Sequence, residues 1–153
     1  MRRRRVATGL RHASALAAAS PLAPRAEAPG PFALTDISDA LMRAYNDEDA
    51  EALHGLLAPA LQARYTPEGV RKALILCRVL TGDIFRLSTP SWGGRHYGFF
   101  GVYAETGVFD MVLEIDPAER IVHWVVTDDV TAREQQCRIG ADGGSGPADA
   151  PVR

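Results

Sequence analysis

The chain has 153 residues, 46% of them hydrophobic and 24% charged, proportions that suit one globular domain whose core needs neither metals nor a disulfide framework. No run of apolar residues is long enough to cross a bilayer as a helix, so a transmembrane segment is not expected. The net charge of −2 is unevenly spread: residues 1–28 hold six arginines and one acid, and taking these from 17 basic and 19 acidic residues leaves 11 against 18, a net of −7. An acidic body without a Lys/Arg stripe repels phosphate backbones, which argues against nucleic acid as a partner.

The first 30 residues read as a leader. Arg2 to Arg5 give a positive start, Ala13 to Ala23 is small and mildly apolar, and Ala26-Glu27-Ala28 has the A-x-A form that precedes a cleavage point. This order is secretory, which implies export to the periplasm or beyond, with the cytoplasm as the alternative. Arg11 and His12 interrupt the apolar part, and the Arg, Ser and Ala content also suits an organellar transit peptide or a disordered extension.

An α+β domain is expected over residues 35–129. Thr35 and Asp36 are good N-cap types, and Ile37, Leu41, Ala44 and Tyr45 fall on one face of a helix from Asp36 to Tyr45. Asp47, Glu48 and Asp49 place negative charge at the start of a second helix, whose buried face is Ala50, Leu53 and Leu57 and which Pro59 ends or re-angles. Thr66-Pro67-Glu68 opens a third helix with Val70, Ala73, Leu74, Cys77 and Leu80 inward, and Gly82 turns the chain out of it. Four β-rich runs follow, Asp83 to Ser88, Arg95 to Ala104, Gly107 to Ile115 and Arg120 to Asp128, separated by Gly-, Asp- and Pro-bearing turns. They read as an antiparallel meander. The Gly- and Ser-rich end cannot bury enough apolar surface to offset its chain entropy, so residues 138–153 are expected to be a disordered tail.

Period-two alternation sorts the last three strands into two faces. One collects Phe100, Val102, Phe109, Met111, Leu113, Ile115, Val122, Trp124 and Val126 and should receive the helices. The other mixes Tyr97, Phe99, Tyr103, Val108, Val112, Ile121 and Val125 with Asp110, Glu114 and His123. That face is too apolar for free solvation, so a second copy of the chain, forming a homodimer, is the simplest cover. Of the two cysteines, Cys77 reads as a small buried hydrophobe in the third helix and Cys137 falls in the polar tail. Two such positions do not imply a disulfide.

The stretch Ala44-Tyr45-Asn46-Asp47-Glu48-Asp49-Ala50 through Leu57-Ala58-Pro59, followed by Gly98 to Tyr103, Gly107 to Asp116 and Ile121 to Trp124, resembles the nuclear transport factor 2-like (SnoaL-like) superfamily, closest to its short bacterial members. The resemblance covers roughly residues 36–128 and rests on hydrophobic pattern and turn placement. It implies a cone of three helices packed in the concavity of a curved four-stranded sheet, often with a pocket at the open end and a dimer through the sheet. It implies no particular activity, because members range from isomerases, dehydratases and hydrolases to proteins without chemistry.

Asp110 is a carboxylate in mid-strand on the face shared with Tyr103 and His123, the residue types that isomerase-like members combine as base and oxyanion donor. These three are the weak catalytic candidates. Their face points away from the helices, and Asp110 and Glu114, four residues apart, are separated by about 13 Å, too far for an acid–base pair. His54, His96 and His123 lie on separate elements without metal-ligand spacing, and neither a metal nor a cofactor is expected. If a pocket exists it should be lined by Tyr45, Phe100, Met111 and Trp124, on the helix side of the sheet; ordinary core packing is the bland reading of the same residues. The pattern therefore favours a non-catalytic accessory or small apolar-ligand-binding protein. The alternatives are a small isomerase, dehydratase or hydrolase using Asp110 with Tyr103 or His123, and a protein-interaction module dimerising through its sheet.

Overall fold

A computed structural model describes residues 28–91, 93–132 and 136–140, so the leader and the chain beyond Gly140 lie outside the described residues, and with them the expectations for leader cleavage and for most of the tail. Among the described residues, helices precede a five-stranded antiparallel meander in the order β1-β2-β3-β4-β5. None of these helices is long and apolar enough to cross a membrane.

The first helix, α1 (Ala33–Asn46), starts earlier than its sequence suggests. Thr35 and Asp36 are not its caps; they stand inside the first turn, where Asp36 complements the helix dipole. Burial explains the shift, because Ala33 and Leu34 extend the inward stripe of Leu41, Ala44 and Tyr45 by one turn. The second helix, α2 (Ala50–Leu56), is capped by the Asp49 carboxylate, which accepts from the Ala52 amide at 2.9 Å. Pro59 does more than end this helix. It occupies the first turn of a further short one, α3 (Pro59–Arg64), so there are four helices here and not three. The last, α4 (Pro67–Thr81), opens on Thr66, whose hydroxyl accepts from the Gly69 amide at 3.1 Å. It ends at Gly82, where φ is +66°, a backbone region that favours glycine.

The strands are β1 (Ile84–Leu87), β2 (Tyr97–Ala104), β3 (Gly107–Ile115), β4 (Ile121–Thr127) and β5 (Cys137–Gly140). Phe100, Val102, Met111, Leu113, Ile115, Trp124 and Val126 are buried against the helices, as the alternation requires. One end of β4 departs from it. Glu114 pairs with His123 but Ile115 pairs with Ile121, so Val122 is a bulge residue and Ile121, not Val122, enters the core. The α2–α3 link accounts for this inward pull. The Ala58 amide donates to the Ile121 carbonyl at 2.8 Å, and Leu57 bridges Ile121 in parallel.

Two further expectations are corrected by β5. Residues Arg138 to Gly140 do not belong to a disordered tail; they pair with Val125, Trp124 and His123 as a fifth strand, with Ile139 fully buried. Cys137 at its head is joined by a disulfide to Cys77 of α4 across 60 residues of sequence. Cys77 is indeed buried, but as half of a cross-link between the helical layer and the sheet edge.

At the opposite edge, Asn46 replaces a missing strand neighbour. Its carboxamide accepts from the Ile84 amide at 2.9 Å and donates to the Ile84 carbonyl at 2.8 Å. Arg78 ties the same corner together: it bonds Asp83 at 2.6 Å, pairs with Glu48 at 3.2 Å and reaches the Tyr45 carbonyl at 3.4 Å.

Because the Cys77–Cys137 bond closes a long loop, reduction or the Cys77→Ala/Cys137→Ala double variant is expected to lower stability by about 2–5 kcal/mol. The urea midpoint with and without reductant measures this, and an unchanged midpoint would show that β5 holds its place without the bond.

Candidate functional site

The space between α1 and the sheet is built around two aromatic rings. Tyr45, from the last turn of α1, meets Trp124 of β4 edge to face, with ring centroids 6.0 Å apart and planes at 80°. The Tyr45 hydroxyl shares a 2.6 Å hydrogen bond with the Thr81 hydroxyl at the end of α4. Burial pushes the Tyr45 phenol above its ordinary value of 10.0, with Thr81 and Arg78 pulling the other way. Around the rings, Leu41 and Met42 of α1, Ile84 and Leu87 of β1, and Met111 of β3 enclose a gap too tight to admit a water molecule.

This gap has an open neighbour. A cleft of about 270 Å³ lies between the outer side of α1 and the stretch from Phe85 to Pro90, with Phe100 as part of its lining. Met42 and Leu87 belong to both spaces and form the partition between them. Ser38 and Asp39 stand on the helix wall; Arg86 borders the strand side, but its guanidinium lies over the Tyr103 ring on the outer face of the sheet. A smaller depression of about 180 Å³ adjoins it through Thr35 and Pro90, and is bordered by Tyr97 and Arg95.

Of the residues expected to line a pocket, Tyr45, Met111 and Trp124 come together on the closed gap, while Phe100 faces the cleft. Each is at most 1% exposed, so they are core side chains in this state. Trp124 is paired with Leu113 and Met111 with Val126, which makes Trp124 and Met111 diagonal neighbours instead of direct cross-strand partners. The cleft-forming residues Met42, Leu87 and Arg86 carried no sequence signal. Met42 lies beside the apolar stripe of its helix and not on it, and Leu87 reads as an ordinary strand residue.

The weak catalytic candidates are distributed differently. Asp110 is half-buried on the outer face of β3, opposite Gly101 and Thr127. His123 stands opposite Glu114, which is four residues further along β3 and therefore about 13 Å away from Asp110. Tyr103 is diagonal to Asp110, but its ring lies under the Arg86 guanidinium, 3.9 Å from the centroid. Strand register thus separates Asp110 from His123 and gives the Tyr103 ring a cation as its neighbour. Among the described residues, no group of three or more His, Cys, Asp or Glu side chains is placed to hold a metal ion.

Comparison of the chain with protein-family models, with characterised proteins and with solved structures finds no match.

The raised Tyr45 pKa has a signed consequence. Below pH 10.0 the phenol is neutral in folded and unfolded chains alike and contributes no pH dependence. Above pH 10.0 the unfolded chain ionises first, so the stability held by the protonated, buried phenol is lost as pH rises towards its folded pKa. Tyr45→Phe is expected to cost about 1 kcal/mol at neutral pH by losing the Thr81 bond, and to lose less than the parent on going above pH 10.0. Urea midpoints of both proteins on either side of that pH test it, and parallel losses would refute the assignment.

Proposed function

We propose that this protein is a non-catalytic binder of small apolar molecules, which it takes into the cleft between α1 and β1. The observation that carries this reading is the partition: an open cleft of about 270 Å³ shares Met42 and Leu87 with an adjoining gap walled by apolar and aromatic side chains. Binding sites for small molecules combine apolar walls with polar groups; here the gap supplies the apolar walls and the cleft adds Ser38, Asp39, Ser88 and Thr89, and the cleft volume sits just below the usual range. The ligand is accordingly small, on the order of ten non-hydrogen atoms.

The cone of the nuclear transport factor 2-like superfamily is the fold family proposed for it. Supporting this are the order of helices first and meander second, and a sheet with one face buried under helices. The competing enzymatic reading has weaker support, because Asp110 lies on the opposite face of the sheet from the cleft floor and far along β3 from His123.

Binding is tested by titrating the labelled full chain with butylbenzene and following side-chain resonances. Saturable shifts at Met42, Leu87 and Phe100 are expected. The Asp39→Trp variant, altered at an exposed helical position on the cleft wall, should abolish them while leaving the fold intact. Shifts absent from these residues, or undisturbed by the variant, would sink the proposal.

A homodimer through the outer sheet face is a second reading, favoured by the exposure there of Tyr97, Tyr103 and Val108, the last at 65%. Export joins it, because a structural disulfide persists in oxidising compartments and follows a signal-like leader. Native mass spectrometry of protein expressed from the full gene should show an oxidised dimer that has lost its leader upstream of Pro29, a residue already buried in the body. A monomer would remove the dimer, and an intact leader would remove export.

A further inference from the structure

Trp124 is 1% exposed, and its indole nitrogen is the buried side-chain polar atom that lacks a hydrogen-bond partner among the described residues. Buried donors are rarely left so, because water supplied their bond in the unfolded chain and nothing replaces it. Buried hydroxyls show the contrast. The Tyr45 hydroxyl bonds Thr81, the Ser38 hydroxyl donates to the Thr35 carbonyl at 2.9 Å, and the Thr127 hydroxyl donates to the Asp129 carbonyl at 3.0 Å.

The gap that Trp124 lines offers it little. Leu41, Met42, Ile84, Leu87 and Met111 bring no strong acceptor, and the space is too tight for a bridging water. The edge-to-face Tyr45 ring supplies at most a weak π acceptor. The gap adjoins an open cleft, and Met42 and Leu87 line both spaces, so an acceptor from outside can reach the gap past these two side chains. Met42 is only half-buried, and its unbranched thioether changes rotamer readily.

Building on the binding function proposed above, we infer that the Trp124 indole N–H is the polar anchor of the site, and that the ligand class is a small apolar molecule bearing one neutral hydrogen-bond acceptor, such as a ketone or an ether. An indole donates and never accepts, so the ligand must supply the lone pair. The walls of the inner gap contain no cation, so a carboxylate or phosphate placed there would lose its hydration without a counter-charge. The acceptor enters when the Met42 side chain swings aside, the ligand's apolar body remains between Leu87 and Phe100, and the exposed Asp39 carboxylate at the cleft stays hydrated.

The test compares butyrophenone with butylbenzene, which differ by the carbonyl, on the ¹⁵N-labelled full chain. The ketone should bind about tenfold tighter or more. It should also move the Trp124 indole N–H resonance downfield, whereas the hydrocarbon leaves it in place. Trp124→Phe identifies that resonance by its disappearance and should bring the two affinities together; if that variant does not fold, contacts to the Met111 methyl identify the resonance in the parent. Equal affinities, or a ketone preference with an unmoved indole, would overturn the anchor and leave the cleft as an apolar site. Failure of both probes to bind would overturn the binding function and the anchor together.

Discussion

Burial of the Tyr45 ring is the contact on which the two layers depend. Its ring packs on Trp124 of the sheet, its hydroxyl is held by Thr81 of α4, and its carbonyl accepts from Arg78. Since α1 and α4 both bear on this one residue, the spacing between helices and sheet is set there. Burial raises the phenol's pKa above 10.0, and Leu41, Met42, Ile84 and Met111 pack around the same ring. The same closeness that makes the core strong leaves the indole of Trp124 without a protein acceptor.

The molecule accordingly has two regimes of packing side by side. Towards β5, the sheet and α4 are joined by a covalent bond, and Ile139 of β5 is fully buried. Towards β1, a tight gap and an open cleft lie side by side between α1 and the sheet, and one half-buried methionine and one half-buried leucine line both. A ligand admitted there would displace side chains without disturbing strand pairing.

Much of the architecture was legible because short-range chemistry specifies it. Thr66-Pro67-Glu68 announces α4, and the turns at Glu105-Thr106-Gly107 and Asp116 to Glu119 delimit β3 to the residue. Where the reading failed, a distant contact decided the outcome. Val122 and Ile121 exchange faces because the Ala58 amide takes the Ile121 carbonyl, a contact from another layer that alternation along β4 does not encode. β5 consists of four residues, too few for a period to register, and is recruited by the edge of β4 and by Cys77. The disulfide was hidden for the same reason, since its two halves meet only when α4 lies along that edge. At the site, the identities of Tyr45, Met111 and Trp124 followed from their apolar face, but the closing of the gap around them is a matter of side-chain fit. Met42 became visible only in three dimensions.

The treatment of the two sheet edges governs how copies of this chain can meet. An open edge offers a row of unpaired backbone groups to any passing strand and invites aggregation. Here β1 is four residues long, irregular between Ile84 and Arg86, and has the Ile84 amide and carbonyl occupied by Asn46. The other edge, β5, is equally short and is fastened to α4 through Cys137. Strand-to-strand growth is therefore discouraged at both sides, which leaves the broad faces as the surfaces for orderly association. Breaking the cystine would remove that fastening and leave β5 held to β4 by four paired residues and the buried Ile139, so the redox state of a single bond bears on how firmly that edge of the sheet is covered.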